Sequence, residues 1–440
     1  MAVTTPGAPG SPKANSRVTL FAAVVALGGI ALGVGIWQML HAKRSAAARH
    51  SATQINLSVD PIGLDAAAKQ VQLFEQQHPD IRVRIVTVPS ASDGRHDLFV
   101  KQLSSKSPAL DVFWGDVTWA GDFISKGWVL PLTRALTDAD QAAYWKGPMD
   151  GCRGPDGAVY CIPSYVDAGV LYYRKDLLDE SGLKPPKTWD DLVRISTTVS
   201  AKHKDMSGIV FQADQYEGLT VNFLEYAWGN NGSIQSGAKL TAVSRENEEA
   251  LQFMVDMIHK YKIAPAYVLG FQEDFSRRYF EEGKAVFLRN WPYVWRRLKG
   301  TPVEDKVGIV PVVHGRNGES AAALGGWNIM VGRYSQNPEA SIELARFLGG
   351  TEAQTIQAID KGDSPALMAL YHDKKVVAAN PFLPLIYDVL GHTRPRPVVG
   401  AYRQGSAMFQ KYIHQALAAE ITPKAALAKI QQELDALQQE

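Results

Sequence analysis

The most restrictive pattern in the chain is an alternation running from Ile55 to Ser125. Ile55–Val59 is β-branched and alternating, and Leu64–His78 carries Val71 and Phe74 on one helical face before Pro79 stops it. Ile81–Ile85 alternates again. A helix over Asp97–Ser105, a short strand over Asp111–Trp114 and a helix opening at Trp119 continue the rhythm. Strand–helix–strand repetition predicts an α/β fold around a mainly parallel sheet with helices on its faces. In such sheets ligands sit beyond the carboxyl ends of strands. Asp116 falls at such an end, where it would serve equally well as the N-cap of the helix that follows.

The pattern resumes after Tyr165. Val170–Tyr173 reads as a strand and Lys175–Glu180 as a helix stopped by Gly182. Thr188 opens a further helix, with Asp191 placed for a capping box. Leu251, Met254, Val255 and Ile258 recur at helical spacing within Glu248–Tyr261 and predict a buried stripe. Helices are expected over Pro338–Leu348 and Arg403–Ala419, and an amphipathic surface brace over Pro423–Gln438. A chain of 440 residues exceeds what one compact core usually holds and suits two lobes. With 46% apolar and 21% charged residues it is a folded globular protein. A net charge of +1, with no basic run interleaved with aromatics, argues against a nucleic-acid partner. Ten Trp and sixteen Tyr offer flat apolar faces with polar tips, suited to core packing and equally to polyhydroxylated ligands.

The first fifty residues form a separate unit. Residues 1–17 are polar and rich in Pro, Gly and Ser, as in a disordered tail. Leu20–Leu40 has no charge and is long enough to span a bilayer, so residues 18–41 read as a transmembrane anchor or an uncleaved signal. Small residues in Ser45–Ala48 leave cleavage open. Residues 42–53 would be a tether, and 54–440 the folded part. Basic residues flank the span almost evenly, so charge does not orient it. Cys152 and Cys161 bear on orientation instead, because Pro155-Asp156-Gly157 between them is a turn signal that would bring them together. A bridge closing so short a loop stabilises by roughly 2–3 kcal/mol and persists outside the cytoplasm. Two free thiols are the alternative.

Catalytic signatures are missing from the sequence. It has no phosphate-cradling G-x-x-x-x-G-K-[ST] loop, no G-x-S-x-G elbow and no H-E-x-x-H. The ten His show no ligand spacing, so neither a metal nor a cofactor is expected. Acidic residues are frequent enough to leave a glycosidase carboxylate pair open.

Longer blocks are more specific. Gly157–Pro163 runs into Tyr165–Leu178, and Pro185–Leu192 follows. Together they resemble the signature of the family 1 extracellular solute-binding proteins, the carbohydrate class related to maltose-binding protein. Phe211–Leu219, Phe223–Tyr226, Arg289–Trp295, Leu324–Trp327 and Pro395–Pro397 resemble its trehalose/maltose-binding branch. The resemblance runs from Ile55 to the C-terminus. It implies a two-lobed, periplasmic-binding-protein-like α/β fold of the maltose-binding type, with lobe 1 at about 54–163 and 314–370 and lobe 2 at about 164–313 and 371–440. It further implies a disaccharide ligand such as trehalose or maltose, captured by hinge closure and delivered to ABC permease subunits whose ATPase chains are separate. The protein would then be a monomer, held at the cell membrane with its binding domain in the periplasm or at the cell surface, and not an enzyme. Ligand contacts are implied at Arg95, Asp116, Tyr165, Asp167, Trp291, Gly326, Trp327 and Arg396. In Pro61–Ala67, where the branch carries an acidic residue and aromatics, Asp65 is the expected carboxylate. Ionised side chains among these suit vicinal hydroxyls, and the aromatic ones suit pyranose faces. Competing readings are a binding protein for another sugar, a polyol or a sugar phosphate, a secreted glycoside-processing enzyme, and a membrane-anchored sensor.

Overall fold

The computed structural model describes residues 52–237, 239–397 and 402–437. The expected tail, the anchor or signal segment and nearly all of the tether lie outside these residues. Among the described residues no helix is long and apolar enough to cross a membrane. By its contacts the chain divides into two units. The described part of the smaller one is Ala52, Thr53 and His78–Arg82, where the Thr53 N–H donates to the Asp80 carbonyl at 2.8 Å. The larger unit, Gln54–Gln77 and Val83 onward, carries the two main sheets.

The strands of these sheets are β1 (Thr53–Val59), β2 (Ile81–Thr87), β3 (Val112–Asp116), β4 (Ile162–Ala168), β5 (Val170–Arg174), β6 (Ser207–Val210), β7 (Ala285–Asn290), β8 (Val307–Pro311), β9 (Ala323–Val331) and β10 (Arg394–Pro395). The first sheet has the order β10-β9-β3-β1-β2, with β4 also paired to β9, and the second the order β8-β5-β7-β6. Each is the centre of one α/β lobe. β3 and β4 are buried along their whole length, so neither shows a clean alternation of apolar and polar residues.

The sheets are mixed, which corrects the expectation of a mainly parallel one. β1 runs parallel to β3 and β10 to β9, but β9 is antiparallel to both β3 and β4. In the second sheet β5 is antiparallel to β7 and β8, and only β6 with β7 is parallel. A helical crossover enforces parallel pairing between consecutive strands of one lobe. β9 instead follows β8 of the other sheet and is free to enter against its neighbours.

Local rules account for most helices. α1 (Leu64–Gln77) ends just before Pro79. α2 (Ser92–Ser104) starts five residues before the expected Asp97, because its N-cap Ala91 makes no side-chain cap and leaves no signal in the sequence. α3 (Trp189–Lys202) has the full capping box, Asp191 N–H donating to Thr188 Oγ1 at 3.2 Å. α4 (Glu217–Gly229) is buried at every residue after its first, so no amphipathic stripe marks it. α5 (Arg245–His259) buries Leu251, Met254 and Ile258 as expected, while Val255 is half-buried. Its stripe is completed by Phe253 and Met257. Further helices include α6 (Glu273–Glu281), α7 (Pro338–Gly349), α8 (Thr351–Asp360), α9 (Leu383–Leu390), α10 (Tyr402–Leu417) and α11 (Pro423–Leu437). α9 packs on β4 of the first sheet, while α10 packs on α4, α5 and α11.

Two features tie sequence to lobe geometry. Gly169 alone separates β4 of the first sheet from β5 of the second, and a Cβ there would collide with the Glu225 carboxylate. Cys152 and Cys161 are disulfide-bonded and fully buried, with Arg153 and Val159 bridged across the turn between them. The free-thiol alternative therefore falls.

Candidate functional site

Strand ends and the loops after them converge on one cleft of about 280 Å³. β1 delivers Asp60, whose Oδ1 accepts from the Ile62 and Gly63 N–H groups at 2.9 and 3.1 Å and so caps the short 3-10 turn Pro61–Gly63. β3 delivers Asp116, whose Oδ1 accepts from the Thr118 N–H (2.9 Å) and hydroxyl (2.7 Å) and from Arg396 Nη2 at 2.8 Å. Asp116 therefore lines the cleft and closes a turn, but it is not the N-cap of the helix that follows, Ala120–Ser125, whose N-cap is Trp119 with no side-chain cap. Tyr165 and Asp167 lie two apart on β4 and share a face. Trp291 follows β7, and Gly325, Gly326 and Trp327 belong to β9.

Gly326 is needed for its conformation. Its φ is +136°, and a Cβ would stand 2.6 Å from the Tyr165 carbonyl oxygen. At Gly325 a Cβ would meet the Trp291 ring at 3.0 Å. The two glycines thus let β9 approach β4 and Trp291 closely.

Eight of the nine expected contact residues, Arg95, Asp116, Tyr165, Asp167, Trp291, Gly326, Trp327 and Arg396, line this cleft. Asp65 does not: it is exposed on the first turn of α1. The carboxylate that this stretch presents to the cleft is Asp60, five residues earlier at the end of β1. Residues the sequence reading missed include Glu217, Lys361, Asp363 and Phe275. For Asp60 the signal was available, since an Asp-Pro following a strand is a turn start. Lys361 and Asp363 lie in a loop after α8 with no comparable signal.

The polar groups are mutually tied. Arg396 Nη2 meets Asp116, and its Nη1 meets Glu217 Oε1 at 2.9 Å, so one guanidinium joins a strand end of the first sheet to the N-terminus of α4. Glu217 also accepts from the Tyr402 hydroxyl at 2.7 Å and the Ser406 hydroxyl at 2.5 Å. Burial alone would lower the basicity of Arg396, but Asp116 and Glu217 outweigh it and hold the guanidinium charged. Arg95 donates to the Pro89 and Ser90 carbonyls at 3.1 and 2.7 Å and stacks 4.1 Å from the Trp327 ring centroid. Much of its hydrogen-bonding capacity is thus used to orient Trp327. Arg289 does the same for Trp291 at 4.3 Å while paired with Glu225.

At the floor, Lys361 Nζ lies 2.8 Å from Asp363 and 3.4 Å from the Tyr165 hydroxyl. Burial would lower the Lys361 pKa, yet Asp363 and Asp60 raise it on balance. Burial would raise Asp60, but Lys361, Arg95 and the two backbone donors hold it below the usual range. Asp167 behaves oppositely. Burial, with Asp363 and Asp116 nearby, pushes it up to about 8 against the pull of Lys361 and Arg289. Three buried polar atoms of the cleft-lining residues have no partner: the acceptor Asp167 Oδ1, the donor Arg396 Nε and the Tyr293 hydroxyl. Unpaired buried groups of this kind are costly and mark a place for an outside partner. Among the described residues no group of His, Cys, Asp or Glu is arranged to hold a metal ion.

Residues 60–355 match the family of bacterial extracellular solute-binding proteins. The chain belongs to that family. Membership places the described domain of this solute-binding protein outside the cytoplasm, in keeping with its disulfide. A probable ABC transporter-binding protein of Deinococcus radiodurans is 31% identical over 404 residues, 89% of this chain and 95% of that one. The maltose-bound MalE3 of T. maritima superposes with a TM-score of 0.84 at 36% identity, covering 88% of this chain and all of that one. A mannitol-binding protein of Pseudomonas aeruginosa is 23% identical over 413 residues, 82% of this chain and 87% of that one. The family and these relatives are binding proteins and not enzymes, which answers the glycosidase reading.

Proposed function

We propose that this solute-binding protein is the capture component of an ABC importer and that its ligand is a neutral disaccharide such as trehalose or maltose. The observation that carries the proposal is the pairing of unmet polar atoms with aromatic walls in one cleft. Asp167 Oδ1 lacks a donor and Arg396 Nε an acceptor, while Trp291, Trp327 and Tyr165 line the same space. A pyranose supplies hydroxyls for the first pair and C–H faces for the rings. Seven carboxylates against three cations line the cleft, which disfavours a phosphorylated sugar. The 36% identity to a maltose-bound protein supports the sugar class, and the mannitol-binding relative supports a polyol as the second reading.

Capture works by closure. Arg396 meets a carboxylate of each lobe, and a ligand touching both lobes favours the closed state over the open one. The first lobe is assigned residues 54–163 and 314–397, extending the sequence expectation from 370. Supporting that extension, β10 pairs with β9 and α9 packs on β4. The apolar run at residues 18–41 supports an anchor that keeps the domain near its permease at high local concentration. Calorimetric titration with trehalose, maltose, sucrose, glucose and mannitol tests the reading. Binding of a disaccharide is expected; heat from mannitol alone favours the polyol, and no binding of any of them overturns the proposal.

A further inference from the structure

Exposure grades the cleft lining by depth. Asp116, Tyr165, Asp167 and Arg396 are buried, whereas Phe275, which lines the same cleft, is 60% exposed. Phe275 stands in the first turn of α6, so it marks the mouth. Its ring is braced by other aromatic rings. Phe271 lies 6.4 Å away with the planes 18° apart, and Phe271 in turn contacts Tyr267 at 5.6 Å and Tyr279 at 5.8 Å. Tyr267 is itself 51% exposed.

A braced ring in a fixed orientation loses little freedom on binding, so a stacking partner is met at low entropic cost. Polar groups flank it on the same turn. Gln272, Glu273 and Asp274 all line the cleft, with Glu273 Oε1 accepting from the Trp291 indole N–H at 3.4 Å and Asp274 Oδ1 paired with Arg277 at 3.1 Å. Each carboxylate keeps further acceptor positions for hydroxyls. An apolar face between hydroxyl acceptors, continuous with the cleft, matches one more sugar ring.

We infer that Phe275 is the platform of an outward subsite, so that the cleft takes a saccharide of three units with the third ring stacked on Phe275. The inference rests on the sugar-binding reading and deepens it. The test is calorimetric titration of the full chain and of Phe275→Ala with maltose and maltotriose. The wild type is expected to bind maltotriose about two- to tenfold more tightly than maltose. In Phe275→Ala that preference disappears because maltotriose affinity falls further than maltose affinity, and the maltose binding that remains shows that the variant is folded. Phe275→Trp keeps the preference. Equal affinity for the two sugars in the wild type, an equal loss on both in Phe275→Ala, a preference that survives the substitution, or no binding of either sugar overturns the inference. Maltose binding without preference leaves the sugar reading standing, whereas silence toward the whole saccharide and polyol panel removes both.

Discussion

Asp167 and Arg396 each keep one buried atom unpaired, an acceptor and a donor facing the same cleft. Burial, with Asp363 and Asp116 beside it, holds the Asp167 carboxyl up at about 8. A ligand hydroxyl donating to Oδ1 favours the carboxylate and lowers that pKa in the complex. The complex then binds fewer protons than the free protein, so affinity rises with pH between about pH 6 and about pH 8 and levels off above. Titration across this range is expected to show the rise in the wild type and a flat profile in Asp167→Asn. Arg396 is buried between two carboxylates, so Arg396→Met strands both charges. It is expected to cost about 3 kcal/mol of stability in denaturant unfolding and at least about tenfold in ligand affinity. Most of these residues were legible from blocks of sequence. Asp65 was taken in place of Asp60 because residue type and neighbourhood do not reveal which of two nearby carboxylates faces inward. The end of β1 turns Asp60 to the cleft, and the first turn of α1 turns Asp65 to water.

Elements fix where those residues point. β9 passes β4 closely only because Gly326 adopts φ +136° with no Cβ against the Tyr165 carbonyl. Gly326→Ala is expected to destabilise by roughly 1–3 kcal/mol and to weaken ligand binding by displacing Tyr165. A parallel drop in melting temperature and affinity checks it; unchanged values for both would remove the glycine from the argument. Helices with caps or clear stripes, such as α3 and α5, could be read directly from the sequence. The start of α2 and the whole of α4 could not, the first for want of a capping side chain and the second because burial on all sides erases periodicity. The strand directions of the mixed sheets were equally hidden, since alternation fixes a strand's faces and says nothing of its neighbour's direction.

At the scale of the molecule, acidic groups of the two lobes meet where α2 and α4 approach. Asp93 Oδ2 accepts the Glu217 N–H at 3.3 Å. Burial, then the Glu217 charge, raises the Asp93 pKa to about 6, while Arg403 lowers it and Asp97 raises it further. A raised carboxyl contributes stability that is present below its unfolded value and is lost as pH climbs through about 6. Asp93→Asn keeps an acceptor and removes the charge. It is expected to raise the melting temperature by about 2–4 °C at about pH 7.5 and to leave it unchanged at about pH 4. A gain of equal size at both pH values would point to packing instead of charge.

Sequence by itself determined the α/β class and placed Cys152 and Cys161 on either side of one turn, and its resemblance to a family pointed to most of the side chains that meet in the cleft. The first two depend on local periodicity and short loops, which are written along the chain, and the third on blocks of sequence similar to those of the family. Tertiary structure alone decided that Asp60 replaces Asp65, that Lys361 and Asp363 join the floor, that Glu217 shares Arg396 with Asp116, and that Phe275 stands at the mouth. These contacts join segments up to hundreds of residues apart. Their geometry follows from how the strands and helices pack, a long-range balance that no local pattern encodes.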